Sequence, residues 1–377
     1  MEFLEEMEFV GDTPEDWKCV KLGEIADIKM GQSPESKYYN DKGIGLPFLQ
    51  GSKTFGYKYP EVEMYCSNPI KVARKGEILI SVRAPVGDIN IATQDICIGR
   101  GIASINSLFN QNEFLFYYLK HSKNDLLASE TGTVFGSINK ETLYNFPILL
   151  PPLPKQKAIA EVLSSIDDKI ELLHRQNKTL EEMAMTLFKQ WFIESTKDGL
   201  PDGWEEVNLG EIIEISSGKS IEKGKLKEKG LYPVLGANGE IGRTDDWLYE
   251  GELIYTGRVG TLGNVFIVFE NEKVWLTDNT LIIKPKKNEY YYFVYFTLKN
   301  AKLDEYNSGS TQPLIRQSDI KEIEIFLPKI NHLKDFEVIS RNIFTKIQFN
   351  TSQIQTLEKL RDTLLPKLMS GEIRVKI

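Results

Sequence analysis

The stretch "IAEVLSSIDDKIELLHRQNKTLEEMAMTLFKQW", Ile159 to Trp191, decides how the rest of the chain is read. Ile159, Leu163, Ile166, Ile170, Leu173, Asn177, Leu180, Ala184, Leu187 and Trp191 fall at alternating steps of four and three, the rhythm of a heptad seam on one helix face. "LPPLP" (Leu150 to Pro154) leads into it, and proline suits a first helical turn while blocking helix before it. The same rhythm returns in Phe336, Ser340, Ile343, Ile347, Asn350, Ile354, Leu357, Arg361, Leu364 and Leu368, with more polar breaks. A short apolar stripe is ordinarily a helix lying on its own core. A helix of about 40 residues, however, is about 60 Å long, more than a small core covers. Two such helices in one chain can cover each other. The expectation is an intramolecular antiparallel coiled coil, with Asn177 and Asn350 as the polar seam members that fix register.

Outward from the helices the chain repeats itself. "PEDWKCVKLGEI" (Pro14 to Ile25) returns as "PDGWEEVNLGEI" (Pro201 to Ile212), 187 positions on, and Gly31-Gln32-Ser33 returns at the same offset as Gly218-Lys219-Ser220. "GEILISVR" (Gly76 to Arg83) matches "GELIYTGR" (Gly251 to Arg258) at an offset of 175. "TGTVFGSINKETLYNFPILLP" (Thr131 to Pro151) matches "SGSTQPLIRQSDIKEIEIFLP" (Ser308 to Pro328) at 177, an offset that persists through Lys169-Ile170 and Lys346-Ile347. Two copies of one plan indicate a domain duplication rather than a solenoid of short units. Between the motifs lie short β-branched and aromatic runs such as "GEILISV", "NVFIVF" and "NTLIIKP", which read as strands. The expected fold is α+β: two mixed α/β domains, 1–154 and 197–328, joined by helical regions 155–196 and 329–377 in an internal near-twofold repeat.

Composition narrows the function. The 377 residues are 41% hydrophobic and 27% charged, and no apolar run reaches the roughly 20 residues of a membrane span. "MEFLEEMEFV" is acidic, where a signal peptide is basic, so a cytoplasmic protein with no membrane partner is expected. Cys19, Cys66 and Cys97 have neither disulfide nor metal spacing, and no metal site is expected. "SSGKS" (Ser216 to Ser220) has Ile213 where a P-loop needs glycine. "NPIK" (Asn68 to Lys71) lacks the second proline of an adenine methyltransferase motif, and His121, His174 and His332 stand near no nucleophile at triad spacing. The chain therefore reads as no enzyme by itself, with no catalytic residues. A net charge of −8 disfavours DNA binding by the chain alone. Its basic residues nevertheless cluster locally, as in "KSIEKGKLKEKG" (Lys219 to Gly230).

The segment "LPPLPKQKAIAEVLSSIDDKIELLHRQNKTLEEM", together with "TLEKLRDTLLPKLMSGEI" near the end of the chain, resembles the conserved helical regions of specificity subunits of type I restriction-modification enzymes. The two W-x-x-V-x-L-G-E-I openings and "TGTVFGSINKETL" look like the edges of that family's target recognition domains. The resemblance covers essentially the whole chain. It implies two target recognition domains, 1–154 and 197–328, with helical spacers between and after them. It also implies a bipartite double-stranded DNA target, two methyltransferase subunits as partners, and restriction subunits in the full complex. S-adenosylmethionine, ATP and Mg belong in that reading to the partner subunits, and this chain needs no cofactor.

Base reading needs polar side chains on exposed loops, with glycine where backbone approaches the duplex. The candidates in the first copy are Lys29, Gln32, Ser33, Lys37, Tyr38, Arg83, Ser137, Asn139 and Lys140. In the second they are Lys219, Ser220, Lys223, Lys225, Asn238, Arg243, Arg258, Thr311, Gln312 and Arg316. The competing reading is a structural adaptor whose repeated domains bind proteins rather than DNA.

Overall fold

The computed structural model describes residues 7–9 (backbone only), 14–128, 137–260, 262–306 and 314–376. They form two compact units, one built from the residues up to Arg175 together with those from Asn350 onward, the other from Gln176 to Phe349. The heptad stretches are helical over Leu153–Phe188 and Ile330–Ser370, so each unit contains part of both long helices. The first helix ends in a π-helical turn, Lys189–Ile193.

The first unit carries an antiparallel sheet in the order Ala26–Met30, Ile102–Ser107, Ile78–Ser81, Ile89–Ile91. Alternation along its buried strand divides the core. Ile78 and Ile80 join the main cluster with the helix Asn112–His121 and both long helices, whereas Leu79 joins Leu49, Ile96 and Ile98 under a second sheet. That second sheet holds five short strands, among them the parallel pair Leu46–Leu49 and Ile96–Ile98. The second unit repeats the first sheet in the same order, with Ile213–Ser217, Thr280–Pro285, Leu253–Gly257 and Val265–Val268. Its second sheet has four strands, with a parallel pair Tyr232–Gly236 and Lys273–Leu276. The edges differ: the second unit places a hairpin, Tyr232–Gly236 with Gly239–Thr244, where the first has two strands of two residues each.

The duplication extends to single hydrogen bonds. Trp17 N–H donates to the Pro14 carbonyl and Trp204 N–H to that of Pro201, both at 3.1 Å. Leu22 N–H donates to the Phe146 carbonyl and Leu209 N–H to that of Ile323, both at 2.8 Å. Each W-x-x-V-x-L-G-E-I opening is thus a strand that turns and anchors its leucine on the segment leading to the next long helix.

The seam residues take part in both units. Ile159, Ile166 and Leu173 share the first unit's core with Ile354 and Leu364, while Leu357 packs at its margin. Asn350 is buried there, and Asn177 is half-buried in the second unit. In the second unit Ile343, Ile347 and Leu187 are only partly covered, as is Leu180. Ala184, Phe336 and Ser340 of the expected stripe are buried there, and Phe188 and Phe344, one position off it, are buried with them. Phe188 is 1% exposed and its ring lies 5.8 to 6.1 Å from those of Phe293, Phe296 and Phe336. Large aromatic area turns that stretch of helix toward its domain, which widens a two-position seam into the broader face of a helix packed on a globular core.

Where the long helices meet the first unit's domain, a carboxylate is fully buried. Asp167 is 0% exposed and accepts from Tyr57 Oη at 2.5 Å. It lies 3.3 Å from Arg361 Nη1 and 3.6 Å from Lys120 Nζ. Beside it the enclosed Lys58 reaches Asp168 at 2.6 Å. Burial pushes the Lys120 ammonium below its usual range, against the pull of Asp167. In the second unit the place 177 positions on is Phe344, packed on Tyr292 at 4.8 Å and Tyr295 at 5.6 Å. One copy of the plan holds charge here and the other holds rings.

Two measurements follow. Removing one partner of a buried ion network strands the other, at about 3–5 kcal/mol. Arg361→Met should therefore lower the urea midpoint strongly, whereas Lys155→Met, whose partner Asp16 is open to solvent, should leave it nearly unchanged, because an exposed pair is screened by water. Equal midpoints would contradict the network's role. Burial, with Cys66 alongside, pushes the Cys97 thiol up to about 12. At pH 8 a thiol reagent should then label exposed Cys19 in the native protein and reach buried Cys66 and Cys97 only after unfolding, as peptide mass spectrometry would read directly.

Candidate nucleic-acid interface

In the first unit three segments cross at Gly31. Its N–H donates to the Ile102 carbonyl at 2.9 Å, Gln32 N–H to Ile98 at 3.0 Å, and Gly99 N–H to Leu49 at 2.8 Å. A Cβ at Gly31 would sit 2.2 Å from the Gly99 carbonyl oxygen, so the crossing requires glycine. Polar side chains emerge from it. Gln50 Nε2 donates to Ser33 Oγ at 2.9 Å, and the Arg100 N–H donates to the same hydroxyl at 3.2 Å. Gln32 and Arg100 are exposed beside them. An adjoining groove is lined by Lys29, Gln32, Lys71 and Lys140.

The second unit builds the same crossing from different tips. Gly218 N–H donates to the Thr280 carbonyl at 3.1 Å, Lys219 N–H to Leu276 at 2.9 Å, and Thr277 N–H to Leu235 at 3.0 Å. A Cβ on Gly218 would lie 2.2 Å from the Thr277 carbonyl oxygen. Ser220 Oγ donates to Asp278 Oδ2 at 2.7 Å. Asp278 thus takes the place of Arg100.

The crossing also corrects one equivalence. Val82 N–H donates to the Gly101 carbonyl and Arg258 N–H to that of Asn279, both at 2.8 Å, so Arg258 corresponds to Val82 and not to Arg83. The cause is one extra residue between the glycine and the strand. Ile78, opposite Ile105, stands two after Gly76, whereas Ile254, opposite Ile283, stands three after Gly251. A shift of one turns a side chain to the other face. Arg83 is exposed, while Arg258 is half-buried with its Nε enclosed.

The other expected contact residues divide by what they already hold. Lys29 Nζ donates to the Val72 carbonyl at 2.8 Å, and Asn139 caps the helix Lys140–Asn145 by accepting from Thr142 N–H at 2.8 Å. Lys225 pairs with Asp246 at 2.9 Å, which raises its pKa through the hydrogen bond. Arg243 Nε donates to the Gly230 carbonyl at 2.9 Å and so braces the basic loop, and Asn238 accepts from Asn264 at 2.7 Å. Tyr38 and Ser137 are half-buried, and Ser137 sits in a bridge to Arg83. Gln32, Lys140, Lys219, Ser220, Lys223 and Arg316 are exposed, as is Lys37 beside Glu35. Thr311 and Gln312 lie outside the described residues. Gln50, Lys71, Arg100 and Asp278 were missed by sequence reasoning. The available signal was Gly99-Arg100-Gly101 standing 178 positions before Thr277-Asp278-Asn279.

Among the described residues no helix is long and apolar enough to cross a membrane. Comparison with known proteins gives a consistent result. The model of the type I restriction modification DNA specificity domain matches twice, over residues 14–182 and 201–359. The type I restriction enzyme MjaIX specificity subunit of Methanocaldococcus jannaschii is 28% identical over 97% of this chain and 96% of its own length. The putative MjaX specificity subunit of the same organism is 48% identical, over 46% of this chain and 42% of that protein. The crystal structure of the type I restriction-modification system S subunit from M. genitalium shares the fold, with a TM-score of 0.63 at 20% identity, over 96% of this chain and 97% of that one. With both copies of the repeat matched by one family model, the chain belongs to the family of type I restriction-modification specificity subunits, with two recognition domains.

Proposed function

We propose that this chain reads a bipartite DNA target, one half-site per recognition domain, and positions methyltransferase subunits over it, with restriction subunits joining in the full complex. The observation that carries this reading is the glycine crossing at Gly31 and Gly218, built from the same backbone bonds in both units and tipped with different side chains. A constant scaffold with variable polar tips suits two readers of unlike sequences. In this reading the chain is non-catalytic, and S-adenosylmethionine, ATP and Mg act on the partners. The acidic balance has the same explanation, since partner subunits share the grip on phosphate. The adaptor reading has no observation in its favour.

The helices are the spacer in this proposal. The early half of the first helix shares a core with the late half of the second, and the late half of the first with the early half of the second. That is the pattern of an antiparallel pair, and its length would set the unread gap between half-sites.

Exchanging the residues between Gly31 and Asn145 for those of a relative, while keeping Tyr57, Lys58 and Lys120 against Asp167 and Asp168, should change one half of the methylated motif only. Methylation mapping of a host expressing the chain with its partner subunits checks this, and a change in both halves would refute independent reading. Adding one heptad after Asn177 and one after Asn350 should lengthen the gap and leave both half-sites intact. An unchanged gap in the mapped motif would remove the spacer role.

A further inference from the structure

Arg100 and Asp278 occupy one turn of the duplicated plan. In both copies the residue before the turn donates its N–H to the second sheet's parallel neighbour, Gly99 to Leu49 and Thr277 to Leu235. The residue after it accepts from the neighbouring strand's continuation, Gly101 from Val82 and Asn279 from Arg258. Both central side chains are exposed at the same crossing that carries Gln32-Ser33 and Lys219-Ser220. The turn packs closely on Gln50 in the first unit, where a Cβ at Gly101 would lie only 2.4 Å from the Gln50 carbonyl oxygen. The hydroxyls of the equivalent residues Ser33 and Ser220 serve the turn in opposite senses. Ser33 accepts from the Arg100 backbone N–H and the Arg100 side chain is exposed beside it, whereas Ser220 donates to the Asp278 carboxylate and fixes it as an acceptor.

We infer that Arg100 and Asp278 are base-edge contacts of opposite hydrogen-bonding sense: Arg100 donates to a guanine in one half-site and Asp278 accepts from a cytosine amino group in the other. The inference rests on the DNA-reading proposal above. The chemistry follows from the groups. A guanidinium presents parallel N–H donors that match guanine O6 and N7, and a carboxylate can only accept, as the cytosine N4 amino group requires. The sequence read by each half then differs at this position because donor has been exchanged for acceptor on an unchanged backbone.

The test is selection of bound duplexes from a randomised library, using the full chain copurified with its methyltransferase subunits. Wild type should select a bipartite motif with a fixed guanine in one half and a fixed cytosine in the other. Arg100→Ala should reduce the guanine preference at one position by roughly 5- to 100-fold and leave the second half-site unchanged. Arg100→Lys, which keeps the charge and loses the fork, should lose most of that preference while keeping the salt dependence of binding. Asp278→Asn should shift one position of the other half-site from cytosine toward adenine, and Asp278→Ala should relax it. If wild type selects no motif, the DNA-reading proposal itself fails. If wild type selects a motif and Arg100→Ala weakens all duplexes equally, Arg100 is a phosphate contact and the inference is wrong. Unaltered selection by the Asp278 variants overturns its second half.

Discussion

The two exposed crossings proposed to read DNA depend on one steric constraint. At Gly31 and Gly218 the chain passes so close to a neighbouring carbonyl that a single added carbon would overlap it. No side chain can occupy the crossing, so three backbone segments are held together by hydrogen bonds alone, and the first side chains free to vary are those just beyond. Selection can change Gln32 to Lys or Arg100 to Asp at such a place without disturbing the bonds beneath. Backbone-held crossings therefore separate what must stay from what can change.

The boundary between domain and helix obeys a different rule. Asp167 loses its hydration on burial, and its charge is compatible with the fold only because Tyr57, Lys120 and Arg361 converge on it. Phe344 needs no such convergence and is satisfied by ring contacts that tolerate small displacements. The two copies solve this one position by different physics, although one plan underlies both. Charge also holds the second unit, at other positions: Arg341 on the second long helix pairs with Glu252 at 2.5 Å and Glu337 at 2.6 Å, and Glu181 on the first accepts from Tyr295 Oη at 2.9 Å.

Much of this was legible in the sequence, for identifiable reasons. Heptad rhythm survives because a long helix must bury a stripe over its whole length, and the two openings survive because Leu22 and Leu209 make the same backbone bond. The slip between Arg83 and Arg258 was not legible: one extra residue before a strand leaves the motif match intact while turning the side chain over. Phe188 displaced Leu187 from the deepest position because tertiary aromatic partners, absent from any local pattern, outweigh the seam. Of the expected DNA contacts, Asn139 and Arg243 proved to hold the chain's own backbone, since caps and loop braces use the same residue types as base readers. Arg100 escaped notice because its exposure follows from the pairing of strands remote in sequence.

The buried network around Asp167 also bears on heredity. Its members come from four stretches far apart in the gene, at Tyr57, Lys120, Asp167 and Arg361. Recombination that replaces the first recognition domain from a donor with a different network would leave an enclosed carboxylate with Arg361 but without its tyrosine and lysine. Junction chemistry thus acts as a compatibility code for domain shuffling, admitting donors that carry the matching tyrosine and lysine. At Phe344 the second copy asks for bulk instead, while its own pairs of Arg341 with Glu252 and of Lys299 with Glu181 set a matching condition on any domain placed there.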